Sequence, residues 1–496
     1  MSLLLRTGRA FYRILVDYCH SSSLAGIGYV VNRRYHWIER LFWLVCLLVA
    51  WFFAVQLILA YMNLFRTDVI SIAVENVNTR VDPVVFPAVG VCEMGYAKQT
   101  YTKMEQFMET LRETEDMEYN YDVEDYIMRV TFHNLYNMGS VTSYCEMQEH
   151  CDECMKCPKD GYYNMAMYIR ANCSQLFHQC QWNGQPFDCC RYFVPLATTE
   201  GTCFLLNSIQ TVEKHGDRWL RLEMNSENPD GDLLLMYNYA ASTHILNEDD
   251  IPHILLNRLR FNQIYPGYEE KVYFTLQNIV NDPLVRAVHI AVRRCLFPDE
   301  VHLSDRNTEY RKYSYSVCAT ECLKAIQIKA CNCFHLNFQP TGSGNTTACD
   351  YTGMQCLDNN NLIAPATKLL LPWHSEGISC HCYPSCTENE IRVIGRHSYD
   401  NDRHERSIKL KLMIHPTQRY RRQIVRENLD VVVSIGGILG LFTGASILSI
   451  VEFFYFFTVR FISYAALGEV SEMESDDSES SSQHEHDEQD EYYEIS

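Results

Sequence analysis

The sequence predicts a membrane protein of the α+β class, with two transmembrane helices in an in–out–in arrangement around a large disulfide-rich extracellular domain. Two long uncharged apolar runs predict the helices, and the placement of the cysteines predicts the domain. Of 22 cysteines, Cys19 precedes the first run and Cys46 lies inside it, while the other twenty fall between Cys92 and Cys386. An even number of thiols confined to one segment reads as a disulfide framework, which requires an oxidising compartment.

The first run, Leu41 to Phe65, has no charged residue. At ~1.5 Å rise per residue, about 20 apolar residues cross a bilayer, so the run is long enough. Val431 to Val451 forms the second run, extended by Phe453 to Phe457. Leu3 to Leu5 is too short for a signal-peptide core and Arg6 follows it, so the first span reads as an uncleaved signal anchor. Arg6, Arg9, Arg13, Arg33, Arg34 and Arg40 precede it against only Asp17 and Glu39, which places the N-terminus in the cytoplasm. Two spans return the C-terminus there, with Arg460 at the inner end. Arg419, Arg421, Arg422 and Arg426 crowd the outer side of the second span. Long translocated domains cross largely regardless of charge, so the cysteines and the first span decide. The expected organisation is a cytoplasmic segment 1–40, a transmembrane helix 41–65, an extracellular domain 66–429, a transmembrane helix 430–462 and a cytoplasmic tail 463–496. The expected location is the plasma membrane.

Within the extracellular domain, Val69 to Val77 and Val84 to Cys92 read as strands around the turn at Asp82-Pro83. Lys103 to Arg112 and Val123 to Asn134 read as helices. Residues 203–295 alternate as a sheet does, and Ser407 to Ile414 reads as a strand. The formal charge is −20, and the tail from Glu469 onward carries twelve acids with no Lys or Arg. That tail is too polar to bury a core and reads as disordered. Its Ser475 and Ser478 sit among acids, and exposed His484 and His486 make poor metal ligands. No concentrated basic face is present, which excludes a nucleic-acid binder.

Cys151, Cys154 and Cys157 have the paired spacing of metal sites, but in an oxidising compartment disulfides are expected instead, and no metal. Partners among Cys145, Cys151, Cys154, Cys157, Cys173, Cys180, Cys189 and Cys190 stay open. In the module 295–386, Cys318 and Cys322 share a helix face, and Cys380 and Cys382 share a face of an extended segment. Such pairs suit a nested ladder of bridges, which either stiffens the module as a lever or simply stabilises a loop-rich fold. No HExxH, GxSxG or GxxxxGK[ST] is present, so no enzyme is predicted and no cofactor is expected. Asn172 and Asn345 are glycosylation sequons, Asn172 in competition with a disulfide at Cys173.

The second span is the more informative one. Gly436, Gly440 and Gly444 repeat every four residues and line one helix face. Small residues of this kind let backbones approach closely in a membrane. Ser434, Thr443, Ser446 and Ser449 add hydroxyls, and Glu452 places a carboxylate within the apolar run. An ionisable group there costs ~2.5–3.5 kcal/mol on the insertion scale and marks a functional candidate. The interior of the first span has only Gln56 as a strongly polar member. The second span is therefore expected to line an aqueous path and the first to face lipid. A glycine dimerisation face with Glu452 snorkelling to the interface is the competing reading.

Several segments resemble the degenerin/epithelial sodium channel family. Gly444-Ala445-Ser446 within SIGGILGLFTGASILSIVEFFYFFTVR resembles its second-span signature. Phe86 to Cys92 (FPAVGVC) resembles its motif after the first span, and Gly201 to Asn207 (GTCFLLN) its GxCYTFN segment. The spacing of the cysteines from Cys295 to Cys386 matches as well, and the runs flanking both spans look most like the insect pickpocket branch. The resemblance covers residues 19–462. It implies a palm, β-ball, finger and thumb architecture and a homo- or hetero-trimer of related subunits in the membrane, conducting Na+ and usually blocked by amiloride. It assigns Gly444, Ala445 and Ser446 as the selectivity filter, where the helix breaks and carbonyls replace ion hydration. Ser434, Gly436, Gly437, Gly440, Thr443, Ser449 and Glu452 would line the pore, with Gly440 at the amiloride site. It implies the disulfides Cys92–Cys203, Cys295–Cys386, Cys318–Cys382, Cys322–Cys380, Cys331–Cys356 and Cys333–Cys349.

Three positions depart from the family pattern. Its His-Gly gating pair stands here as Ala25-Gly26, its usual glutamine after the paired glycines as Ile438, and the usually small degenerin position as Val433. Gly26 and Val433 are thus the expected gating positions. The expectation is a sodium channel subunit in sensory detection or epithelial sodium uptake. The rival is a non-conducting accessory or receptor-like subunit. A purinergic-type channel shares the topology but would lack the FPAV and GAS segments.

Overall fold

The computed structural model describes residues 11, 14–67, 69–76, 83–95, 98–112, 118–132, 155–225, 231–253, 259–300, 310–338, 347–360, 362, 380, 382–400, 405–413, 419–425 and 428–463. Cys145, Cys151, Cys154, Asn345, Arg6, Arg9, Arg13, Arg426 and the acidic tail lie outside these. The chain divides into two units, one of Met1–Val69 with Ile424–Ser496, the other of Ile70–Gln423.

The larger unit is built on strands β1 (Ile70–Asn76), β2 (Val84–Val85), β3 (Ala88–Glu93), β4 (Phe177–Trp182), β5 (Gln185–Phe187), β6 (Val194–Thr198), β7 (Gly201–Leu206) and β8 (Glu223–Met224). It continues with β9 (Asp232–Tyr237), β10 (Ala241–Leu246), β11 (Arg260–Gln263), β12 (Tyr268–Asn281), β13 (Glu390–Asp400), β14 (Arg406–Leu412) and β15 (Arg419–Ile424). One sheet runs β1-β15-β12-β14-β9-β4-β5 with β13 also on β12, and a second runs β11-β10-β3-β7-β6. The long β12 organises the first sheet: Glu269–Phe274 pairs in parallel with β14, and Asn278–Asn281 with β15. Parallel neighbours need a long crossover, and here the connection includes the cysteine-rich module. Alternation on β12 buries Glu270, Val272 and Phe274, and Phe86 closes edge-on over Phe274 and Trp182.

The module 295–386 carries the helix Tyr315–Cys331, started by Ser314 accepting from Val317 N and stopped at Asn332 with φ 56°. Its disulfides are Cys295–Cys386, Cys318–Cys382, Cys322–Cys380, Cys331–Cys356 and Cys333–Cys349. With Cys92–Cys203, which joins directly opposed residues of β3 and β7, these are the pairs the resemblance implies. Two further pairs, Cys173–Cys190 and Cys180–Cys189, fall among partners the spacing left open. Asn172 caps the short helix Cys173–Leu176, its side chain accepting from Gln175 N. Arg422, one of the arginines that crowd the second span, lies on β15 and donates to Cys386 O at 2.9 Å, at the root of the module.

Several expected bounds shift. Pro87 splits the expected strand 84–92 into β2 and β3, because proline offers no N–H to a ladder. The helices are Lys98–Leu111 and Tyr121–Thr131. The sheet-like stretch to residue 295 ends instead at Asn281, where Pro283–Ala287 and Ile290–Arg293 wind into short helices.

In the smaller unit the helix Trp37–Thr67 encloses the predicted span and extends past it at the N-terminal end, with Glu39 in the first turn, where the helix dipole favours an acid. Trp37–Arg66 is long and apolar enough to cross a membrane. The second apolar run is a pair of helices, Leu429–Thr443 and Ile447–Ser463, bent by 77°.

Candidate functional site

The break in the second run is set by its own residues. Gly444 has φ +67°, a left-handed conformation open to glycine. Its N–H still donates to Gly440 O at 3.0 Å, closing the last turn of the helix Asn428–Thr443. Thr443 Oγ1 donates back to Leu439 O at 2.7 Å. Ser446 then restarts the helix as its cap. Its Oγ accepts from Ser449 N at 3.3 Å, and its own N–H donates to Ser449 Oγ at 3.0 Å, a capping box.

Residues 22–26 lie against this break. Ala25 N–H donates to Thr443 O at 3.0 Å, taking a carbonyl that the helix end leaves without an internal partner. Ser23 donates to Glu452 Oε2 from its N–H at 3.2 Å and from its hydroxyl at 2.9 Å, and that hydroxyl lies 2.7 Å from Ser449 Oγ. Gly26, φ +88°, turns the chain into the helix Ile27–Val31; a Cβ there would stand 3.2 Å from Leu47 Cδ2. The preceding helical segment, 14–21, packs Tyr18 among Phe453, Phe456 and Phe457, and Asp17 pairs with Arg460 at 3.3 Å.

The sequence-predicted residues therefore separate into two groups. Gly444, Ala445, Ser446, Thr443, Ser449 and Glu452 gather at the break, where Thr443 and Ser449 are buried within the subunit. Their hydroxyls are spent on the break itself and on Ser23, so in this subunit they hold the turn and do not stand open. Val433, Gly436, Gly437 and Gly440 form an exposed face along the preceding helix. A Cβ added at Gly436 or Gly437 meets nothing within 4 Å. Ser434 is half-buried beside them. Ser23 was not singled out from the sequence, although Ala25-Gly26 two residues on marks the same segment.

In the larger unit, three carboxylates crowd the start of the helix Tyr315–Cys331. Burial and then the charge of Asp250 push Asp249 up to about 7. Burial likewise raises Asp250, whose Oδ1 accepts from Ser316 Oγ at 2.7 Å. Burial and then Asp250 raise Glu388 to about 7. A carboxyl raised on folding contributes stability that is complete below its unfolded value near 4 and is lost as pH climbs through about 7. The unfolding temperature of the intact protein is thus expected to fall between about pH 4 and pH 7 and to level off above that. Asp249→Asn flattens that slope, and an unchanged slope contradicts the assignment.

Cys92, Glu200 and His244 bring three potential ligand atoms within 4.8 Å of one another. They do not fit a metal, because Cys92 Sγ is bonded to Cys203 and Glu200 Oε2 is already shared by His244 and Arg260, each at 3.3 Å.

The model of the family described as amiloride-sensitive sodium channel matches residues 18–456. "Sodium channel protein Nach" of Drosophila ananassae is 24% identical over 475 residues, covering 89% of this chain and 86% of that protein. "Pickpocket protein 19" of Drosophila melanogaster is 23% identical over 477 residues, covering 88% of each. "Pickpocket protein 28" of the same species is 27% identical over 204 residues, covering 36% of this chain and 31% of that protein.

Proposed function

The chain belongs to the amiloride-sensitive sodium channel family, and from that premise we propose that it is a pore-forming subunit of a trimeric, amiloride-sensitive, sodium-permeable channel of the plasma membrane. The observation that carries this reading is the interrupted helix. An unbroken helix turns its carbonyls into its own hydrogen bonds, whereas a break at 444–446 frees backbone oxygens to replace water around an ion. The preceding helix presents Gly436, Gly437 and Gly440 on an exposed face, where a Cβ added at Gly436 or Gly437 meets nothing within 4 Å. Three such faces meeting on an axis would enclose the passage, with Gly444, Ala445 and Ser446 as its filter and Gly440 beside the blocker site. The pairing of Asp17 with Arg460 supports an arrangement in which both ends of the chain lie on one side of the membrane, the cytoplasmic side by the arginine count. Sensory detection, whether chemical, osmotic or mechanical, and epithelial sodium uptake are the roles such a conductance serves.

Expression alone and with related subunits tests the reading: an inward current that vanishes when external Na+ is replaced by a large organic cation, and that amiloride blocks, is the expected result. The departures at Ala25, Val433 and Ile438 favour one alternative, a non-conducting subunit that modulates its relatives. Surface delivery without altered current in every combination would establish that alternative instead.

The contact of Ser23 with Glu452 yields a finer prediction. Ser23→Ala removes the hydroxyl from a carboxylate, a charge-assisted bond worth about 1.5–3 kcal/mol. With the N-terminal segment loosened beneath the filter, the reversal potential under mixed Na+ and K+ is expected to shift while surface level stays unchanged. An unaltered reversal potential and open probability would show that the contact plays no part in permeation.

A further inference from the structure

We propose that Tyr121 of the larger unit is a site of tyrosine O-sulfation, its phenol being the acceptor and a nucleotide phosphosulfate of the secretory pathway the donor. The surrounding sequence, the exposure of this side chain and the compartment set by the disulfides each point to it.

From Glu113 to Asp125 the chain carries seven acids, and no Lys or Arg stands between Arg112 and Arg129. Tyr119, Tyr121 and Tyr126 lie in or beside this stretch. An enzyme that holds a donor with several phosphate and sulfate charges needs a basic cleft. A chain rich in carboxylates is drawn into such a cleft, and a basic chain is repelled.

The fold separates the three tyrosines. Tyr126 is fully buried and packs edge-on against Tyr162 and Tyr351. Tyr119 is half-buried and donates its hydroxyl to Glu124 Oε2 at 2.8 Å; burial and then that bond raise its pKa. Tyr121 is 76% exposed. It is the first residue of the helix Tyr121–Thr131, directly after Asn120, whose side chain accepts from Asp122 N at 2.9 Å. The opposite face of that helix buries Val123, Tyr126, Ile127 and Val130. Helix ends open locally at little cost, so an enzyme can take Tyr121 into its cleft without unpacking this core. Exposure alone does not mark a site of this kind: Tyr265 is 70% exposed but has no acid within three residues on either side.

The compartment selects sulfate over phosphate. All eight disulfides among the described residues lie in the larger unit, so this unit matures in the oxidising lumen, where sulfotransferases act and cytosolic kinases do not reach. In the transfer, Tyr121 Oη bonds to the donor sulfur as the bond from that sulfur to the bridging oxygen breaks. The electron pair stays with the departing nucleotide phosphate, the phenolic proton passes to a base of the enzyme, and nothing is oxidised or reduced. The sulfate ester stays ionised at every physiological pH. It would join Asp122 and Glu124 in the first turn of the helix, where the helix dipole favours negative charge.

Trypsin cuts after Arg112 and Arg129, so all three tyrosines fall on one peptide, Glu113–Arg129. The test is expression of the full chain in insect cells with and without chlorate, which blocks synthesis of the donor, and electron-transfer mass spectrometry of that peptide. The expected result is a peptide about 80 Da heavier, with the added mass on Tyr121. Chlorate abolishes the addition, phosphatase leaves it intact, and Tyr121→Phe lacks it at an unchanged surface level. Intact protein from chlorate-treated cells should then gain the same mark on Tyr121 from purified tyrosylprotein sulfotransferase and its donor. Three results overturn the proposal: a peptide unmodified both in untreated cells and with the purified enzyme, a mark on Tyr119 or Tyr126 in place of Tyr121, or a mark that phosphatase removes and chlorate spares. The modification is read without any current, so it stands or falls separately from the channel assignment.

Discussion

Gly444→Val is expected to abolish the sodium current of a channel containing this subunit, by at least tenfold, while leaving its surface level near normal. Two independent costs meet at this position. The backbone holds φ +67°, which a β-branched residue adopts only under strain. The new Cβ would also stand 3.3 Å from Ala25 Cβ and 3.4 Å from Ala25 N. Relief requires straightening the helix or displacing the N-terminal segment, and either change removes the turn that Ser446 caps and releases Thr443 O from Ala25. Whole-cell recording with surface biotinylation separates conduction from delivery. Full current through Gly444→Val channels would show that the break is not required for conduction.

The second large effect is expected for the paired replacement Cys92→Ser with Cys203→Ser. The bridge joins residues that face each other across β3 and β7, both almost wholly buried, and it closes 111 residues. Removing a native disulfide from such a framework costs about 2–5 kcal/mol, of the same order as the whole stability of many domains. Surface protein should fall to a small fraction of the parent, with the remainder retained inside the cell. The pair Cys331–Cys356 closes only 25 residues and lies partly exposed, so its removal should be milder. Equal surface levels for all three proteins would contradict this ranking.

What the sequence made legible was whatever depends on local composition. The apolar run within Trp37–Thr67 stands out because a bilayer demands about 20 uncharged residues, whereas the six shared disulfide pairings were implied by the resemblance, since spacing by itself does not fix connectivity. Contacts made across the chain were not legible in this way. Ser23 and Glu452 are 429 residues apart, and no periodicity links them. The second run reads as one span because hydropathy registers side chains and is blind to the φ of Gly444, even though the resemblance implies a break there. The pairing of β12 with β14 and β15 was likewise hidden, since strand partners depend on the path of the intervening module. Asn172 reads as a sequon on the page, and that it also caps a helix beside a bridged cysteine follows only from the fold.

The most direct test is electron cryomicroscopy of the intact assembly in lipid nanodiscs. The account predicts three copies of the helix Asn428–Thr443 turning Gly436, Gly437 and Gly440 toward a common axis, with a continuous column of water narrowing at Gly444–Ser446. Glycines turned toward lipid, with no water-filled path between subunits, would contradict it.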